Sequence, residues 1–170
     1  MPSPTFAHSL PLICLSIMIK LIVFDIAGTT VRDQDEVLYC FRKACRETGI
    51  NAPDARLNAL MGVSKLEVFK ILWKEQLGEG NNALVAEKAA ATYAVFKEIL
   101  EDYYYSHEIA PTEGTLEIFE WCRQKGIKIA LNTGFYREVS NIILNRLDWQ
   151  EGEIIDFVIA SDEVPAGRPE

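Results

Sequence analysis

Three short apolar runs are separated by long segments of helical periodicity along this chain. The runs span residues 21–25, 128–132 and 157–160, and each leads into a polar or glycine-containing turn. Short apolar runs bounded by turns are typical of buried strands, and helices between strands favour parallel pairing. The pattern therefore predicts an α/β fold with a small parallel sheet.

Helices are predicted where apolar residues recur every three or four positions. The predicted helices span 35–49, 53–61, 64–77, 83–105 and 117–125, and a further amphipathic segment runs from 139 to 147. The first four of them follow one another after the first strand, and the fifth leads into the second strand. We therefore expect a helical insertion over 34–109, a core made of 18–33 and 110–170, and an N-terminal extension over 1–17.

The first strand ends in an acidic residue, Asp25, followed by the small-residue turn Ile26-Ala27-Gly28-Thr29-Thr30. Parallel sheets bind ligands beyond the carboxyl ends of their strands. A carboxylate at that position can act as a phosphoryl-transfer nucleophile and as a magnesium ligand. Gly28 lets the backbone approach an anion, and the threonines offer hydroxyl and N–H groups. The alternative is an aspartate that merely caps the turn.

The other two strands also lead into polar segments. The second is followed by Thr133-Gly134, whose hydroxyl and nearby helix-start N–H groups can hold a phosphate; a helix N-cap is the alternative role of Thr133. The third leads into an acidic loop and then Gly167-Arg168-Pro169. A guanidinium there can bind phosphate in a bidentate manner, although an isolated arginine near a chain end is usually a solvated charge.

In this order, the segments resemble the motifs of the haloacid dehalogenase (HAD) superfamily of hydrolases. Ala27 stands where most phosphatases of that superfamily carry a general acid/base aspartate, and this feature is similar to the phosphonoacetaldehyde hydrolase (phosphonatase) branch. The resemblance implies a Rossmann-like core with an inserted helical cap, an Asp25 nucleophile, and Mg²⁺ held by the Asp25 carboxylate and the Ala27 carbonyl. It also implies that the transferred phosphoryl group is bound by Gly28, Thr29, Thr133, Gly134 and Arg168.

The segment Met61-Gly62-Val63-Ser64-Lys65 resembles the phosphonatase cap segment whose lysine forms a Schiff base with the substrate aldehyde. By this resemblance Lys65 would convert the carbon leaving group into an enamine, which removes the need for an acid at Ala27. The amine must be neutral, and lowering a lysine pKa from about 10.4 to about 7 costs roughly 4 kcal/mol. The alternatives are a charged Lys65 that clamps a substrate phosphate, and a surface lysine.

Superfamily members continue through a further strand and acidic loop that supply the remaining magnesium ligands, whereas this chain ends at Glu170. We therefore expect a chain truncated at its C-terminus and an incomplete sheet, with Asp162 or Glu163 as substitute metal ligands. The first strand then becomes an unpaired apolar edge. We expect residues 10–17, or a second copy in a homodimer, to cover it.

The charge and cysteine content of the chain argue against several classes of function. The chain has 17 Lys and Arg against 25 Asp and Glu, a formal net charge of −8, which argues against a nucleic-acid partner. The four cysteines form no Cys-x-x-Cys pair, and residues 10–17 are apolar but follow no basic segment. We therefore expect a cytoplasmic protein with no membrane span and no disulfide framework.

These expectations lead to one principal hypothesis and two alternatives. The principal hypothesis is a phosphonatase-like hydrolase of a small phosphonate or phosphate ester. One alternative is a phosphatase of the same superfamily that acts on a small phosphorylated metabolite. The other is a truncated, non-catalytic phosphate-binding or interaction module.

Overall fold

The computed structural model describes residues 18–60 and 63–165. Their strands are β1 (Leu21–Asp25), β2 (Lys128–Asn132) and β3 (Phe157–Ile159). Their helices are α1 (Glu36–Thr48), α2 (Asp54–Ala59), α3 (Lys65–Leu77), α4 (Asn82–Ser106), α5 (Thr115–Gln124) and α6 (Arg137–Arg146). This order confirms the predicted α/β class.

The predicted boundaries differ from the observed ones by a few residues. Helix α5 begins at Thr115, two residues before its predicted start, because Gly114 takes a left-handed conformation (φ 84°) directly before it. Helix α2 ends at Ala59 with Leu60 as its C-cap residue, and Met61, the predicted last residue, lies outside the described residues. Strand β3 ends at Ile159 rather than at residue 160.

The sheet is parallel, with the strand order β1-β2-β3. Asp25 pairs with Asn132, and Asn132 pairs with Ile159, so all three strands end at the same edge. Among the described residues β1 has a neighbour on one side only, as the sequence predicted. Residues 10–17, one of the two predicted covers for β1, lie outside the described residues, so that expectation stays a prediction.

The two faces of the sheet differ in burial. On one face Ile129, Leu131 and Val158 are buried, and Phe24 packs edge-on against Phe119 of α5 with ring centroids 5.6 Å apart. On the opposite face Ala130 of the middle strand is 4% exposed, whereas the large side chains of the two outer strands remain 46% to 54% exposed: Leu21, Val23, Phe157 and Ile159. In the part of the chain that the structure describes, this second face is open, which the sequence analysis did not predict.

Helices α1, α3 and α4 form a compact block around three packed rings, Phe41, Phe69 and Phe96, each at most 2% exposed. The buried Trp73 indole donates a hydrogen bond of 2.9 Å to the Thr92 hydroxyl and so joins α3 to α4. The division of the chain into a core and a cap over 34–109 stays a prediction.

The far end of α4 reaches the carboxyl edge of the sheet. Tyr104 packs edge-on against Phe135, with ring centroids 5.7 Å apart, and the Tyr136 hydroxyl donates to Glu101 at 2.7 Å. Phe135 and Tyr136 directly follow Thr133-Gly134. The helical block is therefore attached beside the predicted site.

Three cysteines of the described residues are free and buried: Cys40, Cys45 and Cys122. Burial raises the pKa of the Cys40 thiol to about 12 and that of Cys45 to about 11. A thiol is a poor nucleophile and metal ligand unless it is deprotonated, so these cysteines pack as small apolar residues. Across 18–60 and 63–165, no helix combines the length and the apolarity that crossing a membrane requires.

Candidate active site

The sheet register brings the predicted nucleophile beside the predicted phosphate-binding threonine. Asp25 is the half-buried last residue of β1 and lies next to Asn132. Thr133 follows directly, and its N–H donates to the carbonyl of Ile159 at 3.2 Å. Asp25, Thr133 and the end of β3 therefore share one edge of the sheet, where parallel sheets bind ligands.

The turn after Asp25 is closed by its own hydrogen bonds. The Ile26 carbonyl accepts the N–H groups of Thr29, Thr30 and Val31 at 3.2, 3.0 and 2.9 Å, and the Gly28 N–H donates to Val31 at 2.8 Å. Gly28 has a φ of 75°, which favours glycine. Because these N–H groups are already used inside the turn, the exposed Thr29 hydroxyl is the better candidate for contact with a phosphate.

Thr30 has a structural role in this turn. Its side chain is 2% exposed, and its hydroxyl donates to the Asp25 carbonyl at 2.8 Å. Its own carbonyl accepts bonds from the Thr112 N–H at 3.0 Å and from the Thr115 hydroxyl at 3.1 Å. Thr30 therefore fixes the turn below Asp25 to the segment that returns from the helical block.

A pair of carboxylates lies where the chain passes from this turn into α1. The Asp33 Oδ1 accepts the Glu36 N–H at 3.2 Å. Burial is the main cause that raises the pKa of Asp33 from 3.8 to about 6, and the neighbouring Glu36 carboxylate is the second cause. A raised pKa means that folding favours the neutral acid. This contribution to stability is complete below pH 3.8 and is lost as the pH rises through about 6.

The Asp33→Asn variant is therefore expected to be more stable than the parent at pH 7 and equally stable near pH 4. Because Asp33 is only partly buried, solvent screening limits the gain to about 1 kcal/mol, or roughly 2–4 °C in Tm. Thermal melts at both pH values check this, with Asp102→Asn on the surface of α4 as a control. A variant that is no more stable than the parent at pH 7 would contradict the assignment.

Thr133 is 4% exposed, and its hydroxyl accepts the Phe135 N–H at 3.1 Å. Helix α6 begins only at Arg137, with Tyr136 as its N-cap residue. The alternative role of Thr133 as a helix N-cap is therefore wrong, because the chain needs a three-residue turn before the helix starts. The hydroxyl hydrogen remains able to donate to a bound oxyanion.

Lys65 is the first residue of α3 and is half-buried. Its Nζ lies 5.5 Å from the centroid of the Phe41 ring, and its neighbours Val63 and Leu66 pack against the core. These apolar groups lie beside the amine, which belongs to the helical block. Met61 and Gly62 lie outside the described residues, as does Arg168.

The two acids expected as substitute metal ligands are engaged elsewhere. Both carboxylate oxygens of Glu163 accept hydrogen bonds, at 2.8 Å from the Arg137 Nε and at 2.8 Å from the Ala160 N–H. Asp162 Oδ1 accepts the Arg137 N–H at 2.9 Å. Residues 18–60 and 63–165 contain no group of three or more His, Cys, Asp or Glu suited to a metal ion. One carboxylate, at Asp25, and one carbonyl, at Ala27, still suit a magnesium ion that keeps most of its waters.

Two clefts lie away from this edge. One, of about 340 Å³, is at the opposite end of the sheet between 126–129 and 152–156. The other, of about 420 Å³, lies between 50–53 and the side of α3. Neither is lined by a predicted site residue, and neither is lined by an acid at the carboxyl end of a strand. We therefore assign the candidate site to the carboxyl edge of the sheet, because Asp25 and Thr133 lie there.

Arg137 had no predicted role, yet its side chain contacts Glu163 in the loop after β3, Val158 in β3 and Glu151 in the turn before β3. The sequence does contain a signal for this contact. Arg137 directly follows the turn after β2, and two acids, Asp162 and Glu163, follow β3. Parallel strands bring such segments together, whereas periodicity within one helix does not.

Comparison with known proteins gives matches along almost the whole chain. A family model described as a haloacid dehalogenase-like hydrolase matches residues 19–170. A phosphonoacetaldehyde hydrolase from Bacillus mycoides (strain KBAB4) is 32% identical over 164 residues, covering 89% of this chain. The chain spans 59% of the length of that relative.

Solved structures share the fold. A phosphonoacetaldehyde hydrolase-like protein from Oleispira antarctica superposes with a TM-score of 0.69 at 20% identity, covering 89% of this chain and 56% of its own. CbbY from Rhodobacter sphaeroides, in complex with phosphate, superposes with a TM-score of 0.67 at 20% identity, covering 88% and 66%. At these identities the likeness concerns the fold.

Proposed function

This chain belongs to the haloacid dehalogenase-like hydrolase family, and we propose that it is a phosphonatase-like hydrolase of a small phosphonate or phosphorylated metabolite, with Asp25 as the nucleophile. The observation that carries the proposal is the position of Asp25 at the carboxyl end of β1, beside Thr133. The 32% identity to a phosphonoacetaldehyde hydrolase supports the phosphonate branch. The chain spans 59% of the length of that relative. The activity of the whole protein is therefore put forward here as a proposal.

The proposed reaction assigns a role to each predicted residue. Lys65 condenses with the substrate aldehyde and releases water, which gives an imine. An Asp25 oxygen attacks phosphorus, the phosphorus–carbon bond breaks, and its electron pair goes to the carbon as an enamine. Water then hydrolyses the aspartyl phosphate and, after protonation of the enamine, the imine. Ala27 fits this sequence because the enamine needs no acid at that position.

The phosphoryl oxygens would be bound by the Thr133 hydroxyl, the Thr29 hydroxyl and the backbone of Gly134, with Arg168 as the cation. Gly28, whose N–H already donates to Val31, would let the anion approach the turn closely. Donors fixed by the fold stabilise charge that develops in the transition state. Mg²⁺, held by the Asp25 carboxylate and the Ala27 carbonyl, would balance the negative charge of the phosphoryl group.

A specific contact favours a second candidate function. The Lys65 ammonium over the Phe41 ring, at 5.5 Å, is stabilised in its charged form by the ring. The start of α3 acts in the opposite direction, because the positive end of a helix dipole disfavours a cation. A charged Lys65 would clamp a substrate phosphate, and the protein would then be a phosphatase of a small phosphorylated metabolite.

Substrate comparison tests the proposal. We expect phosphate release from phosphonoacetaldehyde, with a kcat/KM at least about 100-fold above that for sugar phosphates, and loss of release when EDTA removes magnesium. Phosphonoacetate is the matched control, since its carboxylate forms no imine and it should not be cleaved.

The other outcomes point to the alternatives. Equal or faster release from sugar phosphates would favour the phosphatase. If phosphate release never exceeds the rate in buffer alone but the protein still binds phosphate, the protein would be a non-catalytic phosphate-binding module.

A further inference from the structure

We propose that Arg137 is a positioning residue that holds the loop after β3 against the turn after β2, and thereby fixes the phosphoryl-binding Thr133 relative to Asp25. The turn after β2 carries Thr133, and the loop after β3 leads to Arg168. The inference rests on the proposed function and adds a residue to which no sequence motif assigned a role.

The side chain of Arg137 is almost fully used by protein partners. Its Nε donates to Glu163 at 2.8 Å, and its Nη2 donates both to the second Glu163 oxygen and to the Val158 carbonyl at 2.7 Å. Its Nη1 donates to Glu151 at 3.2 Å. Four of the five guanidinium N–H groups are therefore engaged. Arg137 does not offer substrate the bidentate fork that Arg168 is proposed to supply.

Backbone contacts join the same two segments. The Arg137 N–H donates to Asp162 at 2.9 Å, and the Ser161 N–H donates to the Phe135 carbonyl at 2.8 Å. The Glu163 carboxylate that binds Arg137 also accepts the Ala160 N–H at 2.8 Å. Residues 160–163 are thus tied to 135–137 by side-chain and main-chain bonds together, and the carboxyl ends of β2 and β3 are held as one unit.

The expected signature of this arrangement is a small effect on stability and a larger one on turnover. The Arg137–Glu163 pair is partly exposed, with side-chain exposures of 29% and 38%, and ion pairs exposed to solvent contribute little to stability. Displacement of a reacting or binding group by about 1 Å, by contrast, can lower a rate about 100-fold. A positioning role therefore predicts a loss of kcat that exceeds the loss expected from destabilisation.

A double-mutant cycle in the full chain tests the inference. We expect Arg137→Met to lower kcat for phosphate release about tenfold or more, with KM changed less than about threefold, because the substrate does not contact Arg137. Arg137→Lys should recover part of the loss. Glu163→Gln should act on the same step, so that the double variant is no worse than Arg137→Met alone.

The chain offers a matched control in the Arg56–Glu75 pair. It is also an arginine–glutamate fork, with side-chain exposures of 38% and 47%, but it joins α2 to α3 inside the helical block. Arg56→Met should leave kcat unchanged and lower Tm by no more than Arg137→Met does, since within the described residues the Arg56 side chain hydrogen-bonds to Glu75 alone.

Three outcomes decide the matter. Equal kcat values for Arg137→Met and Arg56→Met would overturn the inference and leave the proposed function standing. Additive losses of kcat in the cycle would also overturn it, because the two residues would then act separately. A parent chain that releases no phosphate would overturn the proposed function, and this inference with it, before any Arg137 variant is compared.

Discussion

The Asp25→Asn variant is expected to lose phosphate release by roughly 10⁴-fold or more, to the rate measured without enzyme. Asparagine keeps the shape of the side chain but removes the charge and the nucleophilic oxygen that would attack phosphorus. The fold should persist, because it is the Asp25 backbone that pairs with Asn132 and accepts the Thr30 hydroxyl. Steady-state release of inorganic phosphate measures the loss, and circular dichroism checks the fold.

Asp54→Asn is the matched control for this variant. Asp54 is a surface acid at the start of α2 and pairs with Arg42 at 2.8 Å, so its substitution should leave turnover unchanged. Retention of more than about a tenth of the parental rate by Asp25→Asn would show that Asp25 only ends the strand and caps the turn.

The elements were predictable because each depends on local pattern. The strands and helices were found within a few residues from apolar periodicity and turn residues. The open sheet face was not, because an unbroken apolar run such as 21–24 is typical of a strand buried on both sides. In the described residues Leu21 and Val23 are about half exposed. A run of apolar residues indicates which side chains of a strand can be buried. It does not identify the segment of the chain that packs over them.

The candidate site was predictable to the extent that it follows from strand direction. Asp25 and Thr133 were expected together because parallel strands end at one edge, and the register places them there. The ion pair of Glu163 with Arg137 was not predictable, because Arg137 lies 26 residues earlier in the chain. An acid in a loop has the same local pattern whether it binds a metal or an arginine, and only the tertiary contact distinguishes the two.

Borohydride reduction in the presence of phosphonoacetaldehyde is expected to leave a covalent adduct on Lys65. After phosphorus–carbon cleavage the residue carries the imine of acetaldehyde, and reduction converts this into a stable N-ethyl group. Peptide mass spectrometry locates the adduct. Lys65→Arg should abolish the adduct and lower turnover of phosphonoacetaldehyde by about 10³-fold or more, since arginine keeps the charge but forms no imine.

Lys70→Arg is the matched control, because Lys70 lies on the same helix and pairs with Glu67 at 3.1 Å. It should leave both the adduct and the turnover unchanged. The same Lys65→Arg variant also separates the two candidate functions. A clamp for a phosphate needs a positive charge, which arginine retains, whereas Schiff-base chemistry needs a primary amine. Activity that survives Lys65→Arg, without any adduct in the parent chain, would rule out imine chemistry at Lys65 and support the phosphatase.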